Sequence, residues 1–256
     1  MADDKMERRK WTRSELIIAF NLYCRIPFGR IHNKNPEIIV LAKALGRTPS
    51  ALSWKLANFA RFDPVLKKRD ISGAKHGGKL EEEIWDEFNR NWEKLSFESE
   101  RLRLELEGSS LPVEQKALFP EGIQREAIVQ VRVNQGFFRS AILAAYDSKC
   151  CITGLSVAEL LCASHIVPWS IDSKNRTNPQ NGLCLNAIHD RAFDRGLLTI
   201  TSDYRVRVSP LLTKVKDDGV KSLILPYDGR SINLPARFQP DASFLDYHNK
   251  HIYHER

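Results

Sequence analysis

The sequence predicts an α+β protein: a helical N-terminal domain followed by a C-terminal domain that mixes short strands with helices. Three observations carry this. Through the first hundred residues apolar side chains recur every three to four positions between Asn-Pro or Thr-Pro starts and glycine stops; from Leu198 to Val208 they alternate instead; between the two regimes lies a charged stretch with Gly, Ser and Pro near residues 100–122. With 256 residues, 42% hydrophobic and 28% charged, the chain has enough apolar material for one sizeable or two modest cores. The expected division is a basic helical domain over 1–107, a linker over 108–122 and a second domain over 123–256.

The first helix is expected in WTRSELIIAFNLYCRI, capped by Thr12 or Ser14, with Leu16, Ile17, Phe20 and Tyr23 on its apolar side and Pro27 and Gly29 ending it. NPEIIVLAKALG supplies a second, with Asn35 as N-cap, Pro36 in the first turn, an apolar face of Ile39, Leu41, Ala42 and Leu45, and Gly46 as the stop. RTPSALSWKLANFARFDP restarts at once: Thr48 caps, Pro49 opens the helix, and Leu52, Leu56 and Phe59 form the buried stripe. Two short helices across a glycine turn, the second polar and basic on its free face, fit a helix-turn-helix-like DNA reader. The expected DNA contacts there are Arg47, Ser50, Ser53, Lys55, Asn58 and Arg61, with Trp54 on the same outward side. RDISGAKHGGKL is a Gly- and Lys-rich loop, suited either to phosphates or to plain solvation. Ile84, Trp85, Phe88, Trp92 and Leu95 then fall at helical spacing and belong to a core rather than to base stacking.

The second part opens with REAIVQVRVNQGFFRSAILAAYDSKC, a strand-like alternation or short helix followed by a helix from Phe137 to Tyr146. A strand-like apolar run ends in Ser164-His165, a polar loop leads to Asn181, and a helix carries His189. GLLTITSDYRVRVSP reads as strand, turn at Ser202-Asp203, and strand. His248, His251 and His254 near the C-terminus are spaced three apart and read as a solvated helix rather than a metal site.

Charge is divided unevenly. Residues 1–80 carry 17 Lys and Arg against 7 Asp and Glu, whereas residues 81–107 carry 4 against 10. A basic first segment points to a polyanionic partner, because charge supplies sequence-independent affinity for DNA. No run approaches the roughly 18 apolar residues of a membrane span, and MADDKMERRKW lacks the apolar region of a secretory signal; a cytoplasmic protein without a membrane partner is expected. The five cysteines lack C-x-x-C spacing, which points to free buried thiols rather than disulfides or a four-cysteine zinc site.

The pattern CITG, LLCASHIVPW and NPQNGLCLNAIHDRAFDRGLLTI resembles the HNH, or ββα-metal, nuclease superfamily, with sixteen positions from His165 to Asn181 and eight from Asn181 to His189. Cutting a phosphodiester needs a water made nucleophilic and a departing oxygen relieved of charge. A histidine at a strand end, His165, suits the general base, and His189 on a helix suits one divalent cation. The resemblance implies that Asn181 pins the loop and thereby orients the base; Gly182 is read as permitting the tight turn into the second strand. Many members carry Asp or His immediately before the base, where this chain has Ser164, a weak ligand. Either water and phosphate complete the metal shell, or Asp194 or Asp190 contributes. Asp194 lies about 140° around a helix from His189 and joins it only if the helix ends there, which Gly196 allows. Arg191 and Arg195 are candidate phosphate contacts; Trp169 is read as packing.

The resemblance therefore implies a metal-dependent endonuclease acting on double-stranded DNA with one divalent ion, Mg2+ first and Mn2+ or Ni2+ as alternatives. Paired cuts would call for a homodimer. The pattern is close to the restriction-type branch, including McrA-like enzymes that cut modified DNA, which suggests genome defence. The rival reading is a catalytically inactive DNA-binding regulator with a nuclease-like domain, raised by Ser164.

Overall fold

In the computed structural model, residues 9–69, 78–106, 108 and 123–255 are described, with the backbone alone at 123–129. They fall into two units, Met1–Asn134 and Gln135–Arg256. Residues 70–77, most of the Gly/Lys loop expected in RDISGAKHGGKL, and nearly all of the linker expected at 108–122 lie outside the described residues.

In the first unit, local rules set the helix starts. Helix α1 (Arg13–Arg25) begins at Thr12, whose hydroxyl accepts from the Glu15 N–H while the Glu15 carboxylate accepts from the Thr12 N–H. Helix α2 (Pro36–Ala44) begins at Asn35, and α3 (Pro49–Phe59) at Thr48, each with proline in the first turn. The short α4 (Pro64–Lys67) precedes α5 (Lys79–Phe88) and α6 (Trp92–Leu106). Helix α1 is buried on most sides, including Leu16, Ile17, Phe20, Tyr23 and Cys24, and it packs against α3, α5 and α6. Phe20 is the hub of an aromatic cluster, 4.8 Å from Phe59 and 5.3 Å from Trp85 between ring centres. The α2 face differs from expectation: Ile38, Ala42 and Leu45 are buried, whereas Ile39 is exposed. Ile38, Ala42 and Leu45 follow the i, i+4, i+7 stripe, and Ile39 sits a further 100° around.

The DNA contacts expected around α3 are largely taken up inside the unit. The Arg47 side chain is only 8% exposed and bridges Glu15 at 3.0 Å, with its guanidinium 4.5 Å from the Trp11 ring centre. Burial alone would raise the Glu15 carboxyl, but Arg47, the Thr12 N–H and Arg9 together hold it below its ordinary value. Lys55 pairs with the buried Glu81. Arg61 donates to the Gly78 carbonyl at 3.1 Å, and Asn58 is buried. Ser53 donates to the Ser50 carbonyl, leaving Ser50 and Trp54 as the exposed members of that face.

Helix α7 (Ile123–Ala145) is one continuous helix where an initial strand-like alternation was open. Phe137, Phe138, Ala141, Ile142 and Ala145 are buried, a helical and not a two-residue period. In the second unit β1 (Leu161–His165) pairs antiparallel with β2 (Gly182–Asn186), from Leu161 opposite Asn186 to His165 opposite Gly182. Helix α8 (Ala187–Asp194) follows directly and packs on both strands. Strands β3 (Leu198–Ile200) and β4 (Val206–Val208) form a second ladder, against which α11 (Ala242–His251) lies, after the short α9 (Pro210–Thr213) and α10 (Asp218–Leu223). His248 is buried rather than solvated: Thr199 Oγ1 lies 2.8 Å from its Nδ1, the Phe193 carbonyl 3.1 Å from its Nε2, and its ring stacks on Phe193. None of the five cysteines forms a disulfide among the described residues; Cys162 is half-buried and the others buried. No helix among the described residues is long and apolar enough to cross a membrane.

Candidate active site

His165 closes β1, and its surroundings are set by what faces it across the sheet. Opposite stands Gly182, whose backbone is ordinary extended chain (φ −144°, ψ 151°) and makes no tight turn. The expectation of a turn glycine is corrected by the packing: a Cβ there would lie 2.4 Å from Ile142 Cδ1 and 2.7 Å from Phe138 Cζ. Glycine lets α7 press onto the hairpin, and Phe138 then stacks on the His165 imidazole with ring centres 3.8 Å apart and planes 10° from parallel.

The His165 ring is held in one tautomer. Its Nε2 lies 2.8 Å from the Arg176 carbonyl oxygen, which can only accept, so Nε2 carries the proton and Nδ1 the lone pair. Burial lowers the imidazole pKa more than the Arg176 carbonyl raises it, which keeps the ring neutral near pH 7. The loop that carries Arg176 is fastened by the buried Asn181. Its Oδ1 accepts from the Val167 N–H at 2.8 Å, and its Nδ2 donates to the carbonyls of Val167 and Asn175 at 3.1 and 3.3 Å. Arg176 also donates to the Trp169 carbonyl and covers the Trp169 ring, whose edge meets His165.

His165 opens into a cleft of about 610 Å³, to which β1 contributes Cys162 and Ser164 and α8 contributes Asp190 and Asp194. The two aspartates are one turn apart and share a face. Helix α8 ends at Asp194, and Gly196 follows with φ +64°. Burial raises the Asp194 carboxyl pKa, and the neighbouring Asp190 charge raises it further. The Cys162 thiol is pushed up by burial and by Asp190, to which it donates. Ser164 is buried, and its Oγ has no hydrogen-bond partner among the described residues. Arg191 and Arg195 are exposed on the cleft wall.

His189 is not among the residues lining this cleft. It sits 100° around α8 from Asp190, buried, with its ring edge on Tyr227. Its Nδ1 donates to Asn186 Oδ1 at 3.0 Å, and that oxygen also caps α8 by accepting from the N–H groups of Ile188 and His189. His189 Nε2 has no hydrogen-bond partner among the described residues. The structure thus brings together His165, Ser164, Asp190, Asp194, Arg191 and Arg195, and sets His189 apart as part of the clamp joining β2 to α8. Asp190 was the least emphasised in the sequence; its spacing from Asp194 was the available signal.

Residues 150–201 match a family model described as HNH endonuclease. The chain carries an HNH endonuclease domain. Comparison with curated proteins gives no match. The matched segment spans β1, β2, the Asn181 loop and α8, so the residues of the cleft belong to the HNH domain apart from Arg139 on α7, His248 on α11 and Ile252 just after it.

HNH nucleases generally use a divalent metal, and the donor set here fits one. Two carboxylates one turn apart, in the same cleft as a buried hydroxyl that has no partner among the described residues, are hard oxygen donors of the kind that suit Mg2+ or Mn2+. Among the described residues no three His, Cys, Asp or Glu side chains converge as a ready-made metal cluster. Water and phosphate oxygens would complete the shell of an ion held by this pair.

Proposed function

We propose that the chain is a metal-dependent DNA endonuclease of the restriction type, with His165 as general base and Asp190 and Asp194 holding the cation in place of the histidine expected from the motif. The observation that carries the reading is the neutral His165 ring, its Nδ1 lone pair free, in the same cleft as a carboxylate pair walled by arginines. His165 Nδ1 takes a proton from water as the water oxygen bonds to phosphorus and the bond from phosphorus to the leaving sugar oxygen breaks. Asn181 acts one step back, holding the Arg176 carbonyl that keeps the proton on Nε2. Arg191 and Arg195 bind flanking phosphates. Asp190 and Asp194 would hold a divalent cation, which would supply neutralisation of the charge that develops during hydrolysis. Ser164 lies within this donor set, and His189 keeps α8 in register on β2.

The test is nicking and linearisation of plasmid DNA, unmodified, methylated or hydroxymethylated, with Mg2+, Mn2+ or Ni2+. Cutting that stops with chelator and with His165→Ala supports the enzyme, and preference for a modified plasmid supports the defence role. DNA binding with no cutting under any of the three metals supports the inactive regulator instead.

A further inference from the structure

Trp54 stands out in the N-terminal unit. It is 66% exposed, whereas Trp85 and Trp92 are 5% and 3% exposed in the core. It projects from the middle of α3 with no ring, cation or hydrogen-bond partner among the described residues. A large indole left in water on a well-formed helix is the residue type that most often anchors an interface. Ser50 lies one turn before it on the same face, and Asn33 Nδ2 donates to Ser50 Oγ at 3.2 Å, which draws the connection between α1 and α2 to that face. Arg30, His32 and Lys34 on this connection are exposed and carry no ion pair among the described residues. They differ in this from Arg47, Lys55 and Arg61, which are engaged within the unit. With those three set aside, residues 16–62 still carry Arg25, Arg30, Lys34 and Lys43 against a single acid, Glu37.

We propose that this surface holds duplex DNA, with Arg30 and Lys34 on phosphates and Trp54 packed against base edges in a groove. The charge is complementary to a phosphate backbone, a helix is the width a major groove admits, and an exposed indole offers apolar contact to base edges such as the thymine methyl. The proposal takes from the endonuclease reading only the identity of the polymer. It places the contact on residues other than the charged ones that the sequence pattern favoured.

The experiment uses the whole chain carrying His165→Ala, in chelator, with a short fluorescein-labelled DNA duplex followed by anisotropy across a salt series. Trp54→Ala weakens binding about tenfold or more and leaves the slope of log Kd against log salt unchanged. Arg30→Ala and Lys34→Ala each reduce that slope by about one. Both lie on an exposed connection, so their slopes keep the test decisive if Trp54→Ala fails to fold. Parental affinity and slope in all three variants overturn the proposal, as does binding of an RNA duplex or an acidic protein through these residues in preference to DNA. Cutting is scored separately in the unmutated chain. Duplex binding that depends on these residues without any cutting overturns the nuclease reading alone; cutting together with unchanged binding in the variants overturns this proposal alone.

Discussion

Gly182→Ala isolates the packing that places His165. The backbone at 182 is extended, so alanine meets no conformational penalty there and the whole effect is steric. Its methyl would lie 2.4 Å from Ile142 Cδ1, 2.9 Å from Ile142 Cγ1 and 2.7 Å from Phe138 Cζ, distances at which a neighbour must move. All three atoms belong to the α7 face pressed against the hairpin, and overpacking of this kind costs about 1–3 kcal/mol. The thermal midpoint is expected to fall by about 3–10 °C, read by circular dichroism or calorimetry. Displacing Phe138 also tilts the imidazole stacked on it, so plasmid cutting falls further than the folded fraction does. Ile142→Val removes the nearest methyl; alone it costs about 1 kcal/mol, and combined with Gly182→Ala it gives a protein more stable than the two losses added, by about 0.5 kcal/mol or more. Melting of Gly182→Ala at the wild-type temperature, or strict additivity in the double variant, would refute the close-approach argument.

Three further outcomes are expected. Burial holds the His248 imidazole down to about 4 against an ordinary 6.5, so the unfolded chain takes up its proton first; stability is intact above pH 6.5 and falls as pH drops toward 4. The loss amounts to roughly 3 kcal/mol, and His248→Gln flattens it in urea titrations at neutral and acid pH; parallel curves count against the assignment. Arg47→Met leaves Glu15 buried without its main partner and costs about 3 kcal/mol or more in denaturant, while DNA affinity of the folded variant stays put; a large affinity loss with little stability change reverses the reading. Asp190→Asn and Asp194→Asn abolish Mn2+ uptake measured by titration calorimetry and His189→Gln does not; the opposite pattern restores His189 as the ligand.

Features decided within one turn of chain were legible before the structure. Thr12, Asn35-Pro36 and Thr48-Pro49 mark their helix starts because a cap needs only its own neighbours. His165 and Asn181 were legible from pattern, and they meet through the loop as expected. What was not legible depends on partners far along the chain. Arg47 and Lys55 look like free cations until Glu15 and Glu81, 32 and 26 positions away, are seen to hold them. The alternation in IVQVRV gave no sign that the residues beyond it would continue the same helix. The choice between His189 and its neighbour Asp190 is a matter of which side of α8 meets β1, a rotation that spacing along the chain cannot fix.

The loop behind His165 is fastened by a carboxamide, an uncharged group that neither acid nor ionic strength alters. A carboxylate or an ammonium in the place of Asn181 would have tied the shape of that loop to the surrounding medium. With an amide, salt that loosens the grip on a polyanion leaves the Arg176 carbonyl, and with it the orientation of the imidazole, where they are. On the proposed reading, ionic strength is expected to act on residence time on DNA and not on how the imidazole is turned.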